Sequence, residues 1–393
     1  MSDGLIGVIN AGSSSLKFSL YEGDALQLSG QVDGIGVRPA AKARNGAGEA
    51  IDAPDLSASP PATPAEALLA LLPWLRGHIG GRPLAALGHR VVHGGPHHDR
   101  PKRVTPALLE ELATLSPLAP LHQPHNLSPI RAAMDRTPGL PQVACFDTAF
   151  HRTIPEVAQV FALPHEMAAR GIRRYGFHGL SYEYIASALP AVAPDLARGR
   201  VVVAHLGNGA SLCALQGGRS IATTMGFSAL DGLPMGTRCG EIDPAVVLHL
   251  MRQDGLDIAG VEALLYRRSG LLGLSGLSSD FRDLLASGDP RARFAIEVFV
   301  YRVARGIGSL AAALGGLDGI VFTAGVGENA APIRAAVCEA CRWLGVVLDP
   351  AANEARAATI SAAGSRVGVH IIPTDENLMI ARHTRAALAE DPA

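Results

Sequence analysis

No run of eighteen or more apolar residues interrupts this sequence, so nothing in it reads as a membrane span. The opening MSDGLIGVIN has no basic n-region, which argues against a secretory signal and makes the cytoplasm the expected compartment. Cysteine is scarce. Residues 145, 213, 239, 338 and 341 are an odd, scattered set, which excludes a disulfide framework. Cys338 and Cys341 do form a C-x-x-C inside AAVCEACRWLG, but with neither a thioredoxin-like setting nor a second ligand pair they read as buried structural thiols. Neither sign of charge dominates: the formal net charge is -2, which gives a nucleic acid or a polyanionic surface nothing to hold. What is there is a globular balance, 48% apolar and 18% charged, over 393 residues, a length that suits two domains.

The pattern along the chain is α/β. Leu5–Asn10 reads as a strand, Ala11–Ser15 as a Gly/Ser turn and Leu16–Tyr21 as a second strand. Irregular loops or poor edge strands are expected from about Gly34 to Pro64, and a helix over Ala65–Leu75. LAALGHRVVHGG reads as a buried strand leading into a loop. Thr105 is a candidate N-cap, with Pro106 opening a helix through Leu115. PLAPLHQPHN reads as a loop, followed by a short helix and the strand PQVACFDTAF. The second half repeats the first motif: VVVAHLGNGASLCAL is again strand, glycine turn, strand. Setting Ser15-Leu16 on Ser211-Leu212 aligns the two units 196 residues apart, half the chain, which suggests two related domains. A third glycine-rich turn, VFTAGVGEN, follows a strand and precedes a helix from about Ala331-Pro332.

Tight turns with exposed backbone N–H groups make nests for phosphate oxygens, and glycine supplies the dihedrals. NAGSSSLK adds hydroxyls and a lysine to such a turn. It lacks the G-x-x-x-x-G-K-[ST] spacing and leads into a strand, so it is no Walker loop; GVGENA lacks the third glycine of a dinucleotide fingerprint. Three such turns together point to a bound nucleotide. Arg90 in GHRVVHGG and Arg238 in DGLPMGTRCGEIDP suit carboxylate or phosphoryl oxygens, although an arbitrary arginine more often serves a structural ion pair. Asp147 should sit at the carboxyl end of its strand, where open α/β sheets bind ligands. His178 lies near a helix start, and His97-His98-Asp99 in a Pro-rich loop is expected to be solvated rather than to bind zinc.

In chain order, VINAGSSSLKFSL, GHRVVHGG, PLAPLHQPHN, CFDTAFH, YGFHGLSYEY, HLGNGAS, MGFSALDGLPMGTRCGEIDP, GLSSDFRD, FTAGVGEN and PTDENLMIAR resemble the acetate kinase family over nearly the whole chain. The resemblance implies two duplicated actin-like (ribonuclease H-like) α/β domains around an interdomain ATP cleft. The first would span residues 1–150 plus a C-terminal helix at 378–393. The second, residues 151–377, would carry the adenosine pocket. It implies reversible phosphorylation of acetate by ATP, a homodimer, and Mg²⁺ (Mn²⁺ as a substitute) at Asn10 and Glu376. Arg90, Asp147, His178 and Arg238 match the catalytic cluster, with His122 at its edge. Val92, Leu121 and Phe177 match the pocket for the substrate's alkyl end, beside Arg90. For ATP, Ser13, Ser15 and Lys17 match one phosphate turn and His205, Leu206, Gly207, Asn208 and Gly209 the other. Asp280, Phe281 and Arg282 match the adenosine pocket with Gly325, Val326, Gly327, Glu328 and Asn329.

A carboxylate acceptor is already ionised at neutral pH, so Asp147 is expected to orient an arginine or a metal-bound water rather than accept a proton. Two arginines offset the repulsion between acceptor and γ-phosphate. This chain departs from the family pattern in two places. GFSALDG puts Ala229 where a pocket proline is usual, and DEN puts Asn377 where a second glutamate is usual. The first opens a propionate (or butyrate) kinase as an alternative, since one methylene is worth only ~1–3 kcal/mol of discrimination. A sugar kinase would need an aspartate base for a neutral hydroxyl. A chaperone-like or actin-like ATP switch would have no use for the arginine pair.

Overall fold

The computed structural model describes residues 4–120 and 122–390. The chain forms two compact units, one of residues up to Phe150 together with the segment from Asp375, the other His151–Thr374. Leu121 lies outside the described residues, as does the end of the expected C-terminal helix beyond residue 390.

The first unit is built on an eight-stranded sheet. Its strands are β1 (Leu5–Ala11), β2 (Ser15–Glu22), β3 (Ala25–Asp33), β4 (Ala40–Asn45), β5 (Ala50–Ile51), β6 (Leu84–Val91), β7 (Lys102–Arg103) and β8 (Gln142–Phe146), in the order β5-β4-β3-β2-β1-β6-β8-β7. Strands β1 to β3 form antiparallel hairpins, while β6 and β8 run parallel to β1. LIGVINA is buried at all but Asn10 because helices cover both faces of the sheet. On one face the helix Pro64–His78 starts at Thr63, whose hydroxyl accepts the Glu66 N–H at 3.2 Å, with Pro64 supplying a pre-set φ. Its Ala67, Leu68 and Leu71 pack with Leu5, Ile9 and Phe18, each buried leucine contributing roughly 1.5–3 kcal/mol. On the other face lies the helix Glu376–Glu390, which starts two residues before the expected Leu378. It fits because Gly88 has no side chain: a Cβ there would lie 2.2 Å from Thr384 Oγ1.

The second unit holds β9 (Arg200–Leu206), β10 (Ala210–Gln216), β11 (Arg219–Thr223), β12 (Gly319–Thr323) and β13 (Gly368–Ile371), ordered β11-β10-β9-β12-β13. The order and directions repeat those of β3-β2-β1-β6-β8. The duplication is therefore structural, but its register differs from the sequence alignment. The first turn closes through the Gly12 N–H and the Ser15 carbonyl, the second through the Gly207 N–H and the Gly209 carbonyl. Gly12 thus corresponds to Gly207 and Ser15 to Gly209, not to Ser211, because the second turn is one residue shorter.

Three local expectations change. The helix Gln123–Arg136 begins inside the expected PLAPLHQPHN loop, Pro124 being tolerated in a first turn that needs no N–H donor. AGVGEN is a short helix, Ala324–Asn329, entered through Ala324 at φ 64, rather than an open turn. His98 is buried against the Phe146 ring, centroids 5.2 Å apart, while His97 and Asp99 are exposed. Cys338 and Cys341 are buried in and just after the helix Ala331–Ala340, and burial pushes both thiols up to about 12. No helix among the described residues is long and apolar enough to cross a membrane.

Candidate active site

In the first unit the parallel strands β1, β6 and β8 end side by side, and their last residues converge. Asn10 is the penultimate residue of β1, Arg90 the penultimate residue of β6 and Asp147 follows β8, its N–H donating to the Val91 carbonyl at 3.1 Å. Arg90 donates from Nε to Asp147 Oδ1 and Oδ2 (3.0 and 3.1 Å) and from Nη2 to Oδ2 (2.5 Å). Its Nη1 lies 3.4 Å from Asn10 Oδ1, and Nε 4.0 Å from Glu376 Oε2, contributed by the first turn of Glu376–Glu390. Burial works against the Arg90 charge, but the Asp147 and Glu376 carboxylates outweigh it and raise the guanidinium pKa. Asp147 is only 1% exposed against 20% for Arg90, so a buried carboxylate holds a cation that stays partly exposed.

The loop after β6 is fixed by two amides that sequence reasoning missed. Asn126 Oδ1 accepts the Val92 N–H (2.9 Å) while its Nδ2 donates to the Ala11 carbonyl (2.6 Å). Gln123 accepts the His93 N–H and donates to the carbonyls of His93 and Leu112. The signal was present in HQPHN, as buried polar amides must find partners. His122 is half-buried at the start of the same helix, and Val92 is buried. In the turn from β1 to β2, Ser13 is exposed and Ser15 half-buried, while exposed Lys17 pairs across from Asn10. Asn377 donates to Ser19 Oγ at 2.9 Å, and Tyr21 donates to Asp375 Oδ1 at 3.3 Å, pinning the chain on either side of Glu376 to β2.

The second unit gathers another group. His178 caps the helix Gly179–Val192 in the left-handed region, φ 58, a conformation that a non-glycine residue seldom adopts. Its Nδ1 is 2.8 Å from Ser211 Oγ, which also meets Tyr182 OH at 2.5 Å. His205 stacks on it, ring centroids 4.1 Å apart, with its own Nδ1 bonded to Ser181 Oγ. His178 Nε2 and Arg238 Nη2 both flank Gly209, where a Cβ would lie 3.3 and 3.5 Å from them. Arg238 Nη1 donates to the Ala229 carbonyl at 2.8 Å, so the residue that departs from the expected proline acts here through its backbone. Buried Phe177 follows Gly176, where a Cβ would strike the His151 ring at 2.6 Å.

Beside this group is a cavity of ≈ 750 Å³ whose walls include Gly207, Asn208, Asp280, Phe281, Arg282, Gly325, Val326 and Asn329. Asp280 caps its helix and pairs with Arg282, whose guanidinium holds the carboxyl below its ordinary range. Gly327 and Glu328 do not line the cavity: Gly327 is buried over Phe322, and Glu328 Oε1 accepts the Thr374 N–H. Leu206 is buried at the end of β9. A further residue missed in the sequence is Arg334, fully buried, which donates to Asn353 and to the carbonyls of Gly327 and Glu328 and so fixes the far side of AGVGEN.

No group of three His, Cys, Asp or Glu among the described residues could cage a metal ion. Magnesium needs no such cage; it takes one or two protein oxygens and completes its shell with water and substrate phosphate. The hard oxygens of Asn10 and Glu376 at one strand end suit it.

The two-sheet arrangement is a duplicated actin-like α/β ATPase fold, shared with solved relatives. The chain belongs to the acetokinase family, which it matches over residues 5–382. It is 56% identical over 392 residues to the acetate kinase of Rhodopseudomonas palustris, covering 98% of each chain. Among solved structures it is similar to the acetate kinase of Porphyromonas gingivalis (37% identity, TM-score 0.86, 98% and 100% of the two chains). It is also similar to a propionate kinase of Francisella tularensis (35% identity, TM-score 0.88, 98% and 99%).

Proposed function

We propose that this chain is a phosphotransferase that moves the γ-phosphoryl group of ATP to acetate, reversibly, giving acetyl phosphate and ADP. The observation that carries the reading is Arg90, held along its Nε–Nη2 edge by buried Asp147, which leaves the opposite edge for a substrate carboxylate. Relatives 53% and 56% identical over nearly the full chain are named acetate kinase, which favours acetate over propionate.

In the reaction an acetate oxygen forms a bond to the γ-phosphorus while the bond to the ADP oxygen breaks. No proton is removed from the acceptor, so Asp147 serves to orient Arg90. Arg90 takes the acetate carboxylate, with Val92 and His122 the first-unit residues assigned to the substrate's surroundings, and Phe177 is the second-unit residue assigned to its methyl group. Arg238 and His178 stabilise charge on the transferring phosphoryl oxygens, an arginine in that role being worth ~10³–10⁵ in rate. If buried Tyr182 donates its proton to Ser211, Ser211 donates to His178 Nδ1, and the ring carries its hydrogen on Nε2, the atom beside Gly209. The ≈ 750 Å³ cavity of the second unit takes the adenosine between Asp280–Arg282 and Gly325, Val326 and Asn329, and the Gly207–Gly209 turn takes phosphate; in the first unit Ser13, Ser15 and Lys17 carry the same assignment. Asn10 and Glu376 would hold Mg²⁺, with Mn²⁺ as a substitute, and the ion when bound neutralises phosphate charge.

We further assign the chain to the cytoplasm and to a homodimer. Domain limits follow the two compact units, with the C-terminal helix part of the first. The helix Pro244–Arg252 supports self-association: none of its residues is buried, and Val246, Leu248 and Met251 are 40%, 50% and 38% exposed. The deciding experiment is hydroxamate trapping of acyl phosphate formed from Mg-ATP with acetate, propionate and butyrate. Highest kcat/KM for acetate is expected. Highest for propionate would move the substrate to the sister class, and no acyl phosphate with slow ATP hydrolysis would overturn the kinase reading.

A further inference from the structure

The first unit contains a second cavity, remote in chemistry from any of the groups above. It measures ≈ 230 Å³ and lies between the helix Pro64–His78 and the face of β1, β2 and β6. Gly7, Val8, Ile9 and Leu20 form the sheet floor, and the missing side chain of Gly7 admits Leu87, whose Cδ2 lies 2.6 Å from where a Cβ would be. Leu68, Leu72 and Leu75 form the helix wall, as successive turns of one helix face present them. The space is larger than the ~150 Å³ apolar cavity that stays dry and binds benzene in an engineered protein. Close-packed interiors seldom keep such voids, since unfilled apolar walls forfeit dispersion contacts.

One charged side chain touches this lining. Arg76 comes from the last turn of the same helix, is exposed, and makes no ion pair among the described residues. An apolar slot with a single unpaired guanidinium at its edge is complementary to a molecule with an apolar chain and one anionic oxygen group. We propose that this cavity binds a medium-chain carboxylate of about six to eight carbons, the chain inside and the carboxylate on Arg76. The site is independent of the acetate reading, because none of its lining residues belongs to the groups assigned to acetate, ATP or metal. Its floor, however, includes β1, the strand that carries Asn10.

The test is titration of the full chain with octanoate ¹³C-labelled at its terminal methyl carbon, followed by NMR, in the presence of saturating acetate and Mg-ADP, a non-reacting pair, to keep the ligand out of the other pockets. Saturable binding is expected. Arg76→Gln should weaken octanoate about tenfold while leaving 1-hexanol unchanged, as expected for loss of one charge-assisted hydrogen-bonding group. Leu68→Phe grows into the void, so it should abolish binding without lowering Tm; in a filled core the same change would lower it. If Leu68→Phe does not fold, Leu72→Phe replaces it. Absence of saturable octanoate binding, or binding unmoved by both the filling variant and Arg76→Gln, overturns the proposal.

Discussion

The two units share one strand order yet hold their functional atoms by different means. At the strand ends of the first, charge does the holding: Arg90 is gripped by Asp147, and Asn126 and Gln123 tie down the adjoining loop. At the corresponding place in the second, geometry does it: glycines admit close approach, and the hydroxyls of Ser211, Tyr182 and Ser181 orient two stacked imidazoles. A sheet topology therefore fixes where a site falls, at the carboxyl ends of parallel strands, without fixing what chemistry is put there.

The sharpest way to break this contrast is to remove the arginines. Arg90→Ala and Arg238→Ala should each lower kcat by ~10³ or more, with the far-ultraviolet dichroism of each variant native. Arg90→Ala should also be the less stable of the two, by about 1–3 kcal/mol in urea titration, because it strands the buried Asp147 carboxylate. Arg90→Lys should not restore turnover, since a point charge cannot reproduce the bidentate edge. Near-normal kcat in both alanine variants would sink the assignment.

In the second unit a single methyl group should be enough. Gly236→Ala would place a Cβ 1.9 Å from Asn208 Oδ1, displacing a residue that lines the large cavity and belongs to the turn proposed to take phosphate. A displacement of that order is expected to cost about 10²-fold in kcat/KM for ATP. Steady-state kinetics would show it, and an unchanged value would mean that Asn208 does not handle phosphate. Ser211→Ala is milder: it removes the oxygen that orients His178, and about a tenfold loss in kcat is expected with KM for acetate little changed. An equal loss in a Tyr182→Phe variant would support the relay through Ser211, whereas full activity in both would exclude it.

A last test concerns a property common to both units. His89, His93 and His151 are buried, and burial holds each at about 4, well below an exposed imidazole. Because the unfolded chain takes up protons that the folded chain refuses, stability is full above about pH 6.5 and falls as pH drops toward 4. The slope should reach ~1.4 kcal/mol per pH unit for each such histidine, read from urea midpoints between pH 7 and pH 5. A flat profile would show that these rings gain water or a partner before unfolding.

Much of this was legible in the residues themselves. Apolar periodicity placed a helix at Ala65–Leu75, within the observed Pro64–His78, and the pair Thr105-Pro106 set the next helix start, because caps and φ are local properties. The glycine turns and the motif order were enough to expose the duplication and the family. The AGVGEN helix was not legible: its glycines suit a turn equally well, and the wound form is tied down by Arg334, which donates to the Gly327 and Glu328 carbonyls and is itself held by Asn353, 19 residues further on. The alignment of the two hairpins differs from the backbone match by one residue in the first strand and two in the second, since the Ser-Leu pairs are identical while the second turn is one residue shorter and backbone pairing decides register.

The sequence by itself determined the α/β class, the residue types available for phosphate and carboxylate, and the positions of both arginines, because these depend on local chemistry and spacing. Only the tertiary structure decided that Asn10, Arg90, Asp147 and Glu376 meet, that His178 stacks on His205, and that a second, apolar cavity lies beneath β1. Those depend on which strands lie side by side and which faces are covered. Such relations are set by packing between segments far apart in the chain, where no local pattern reports them.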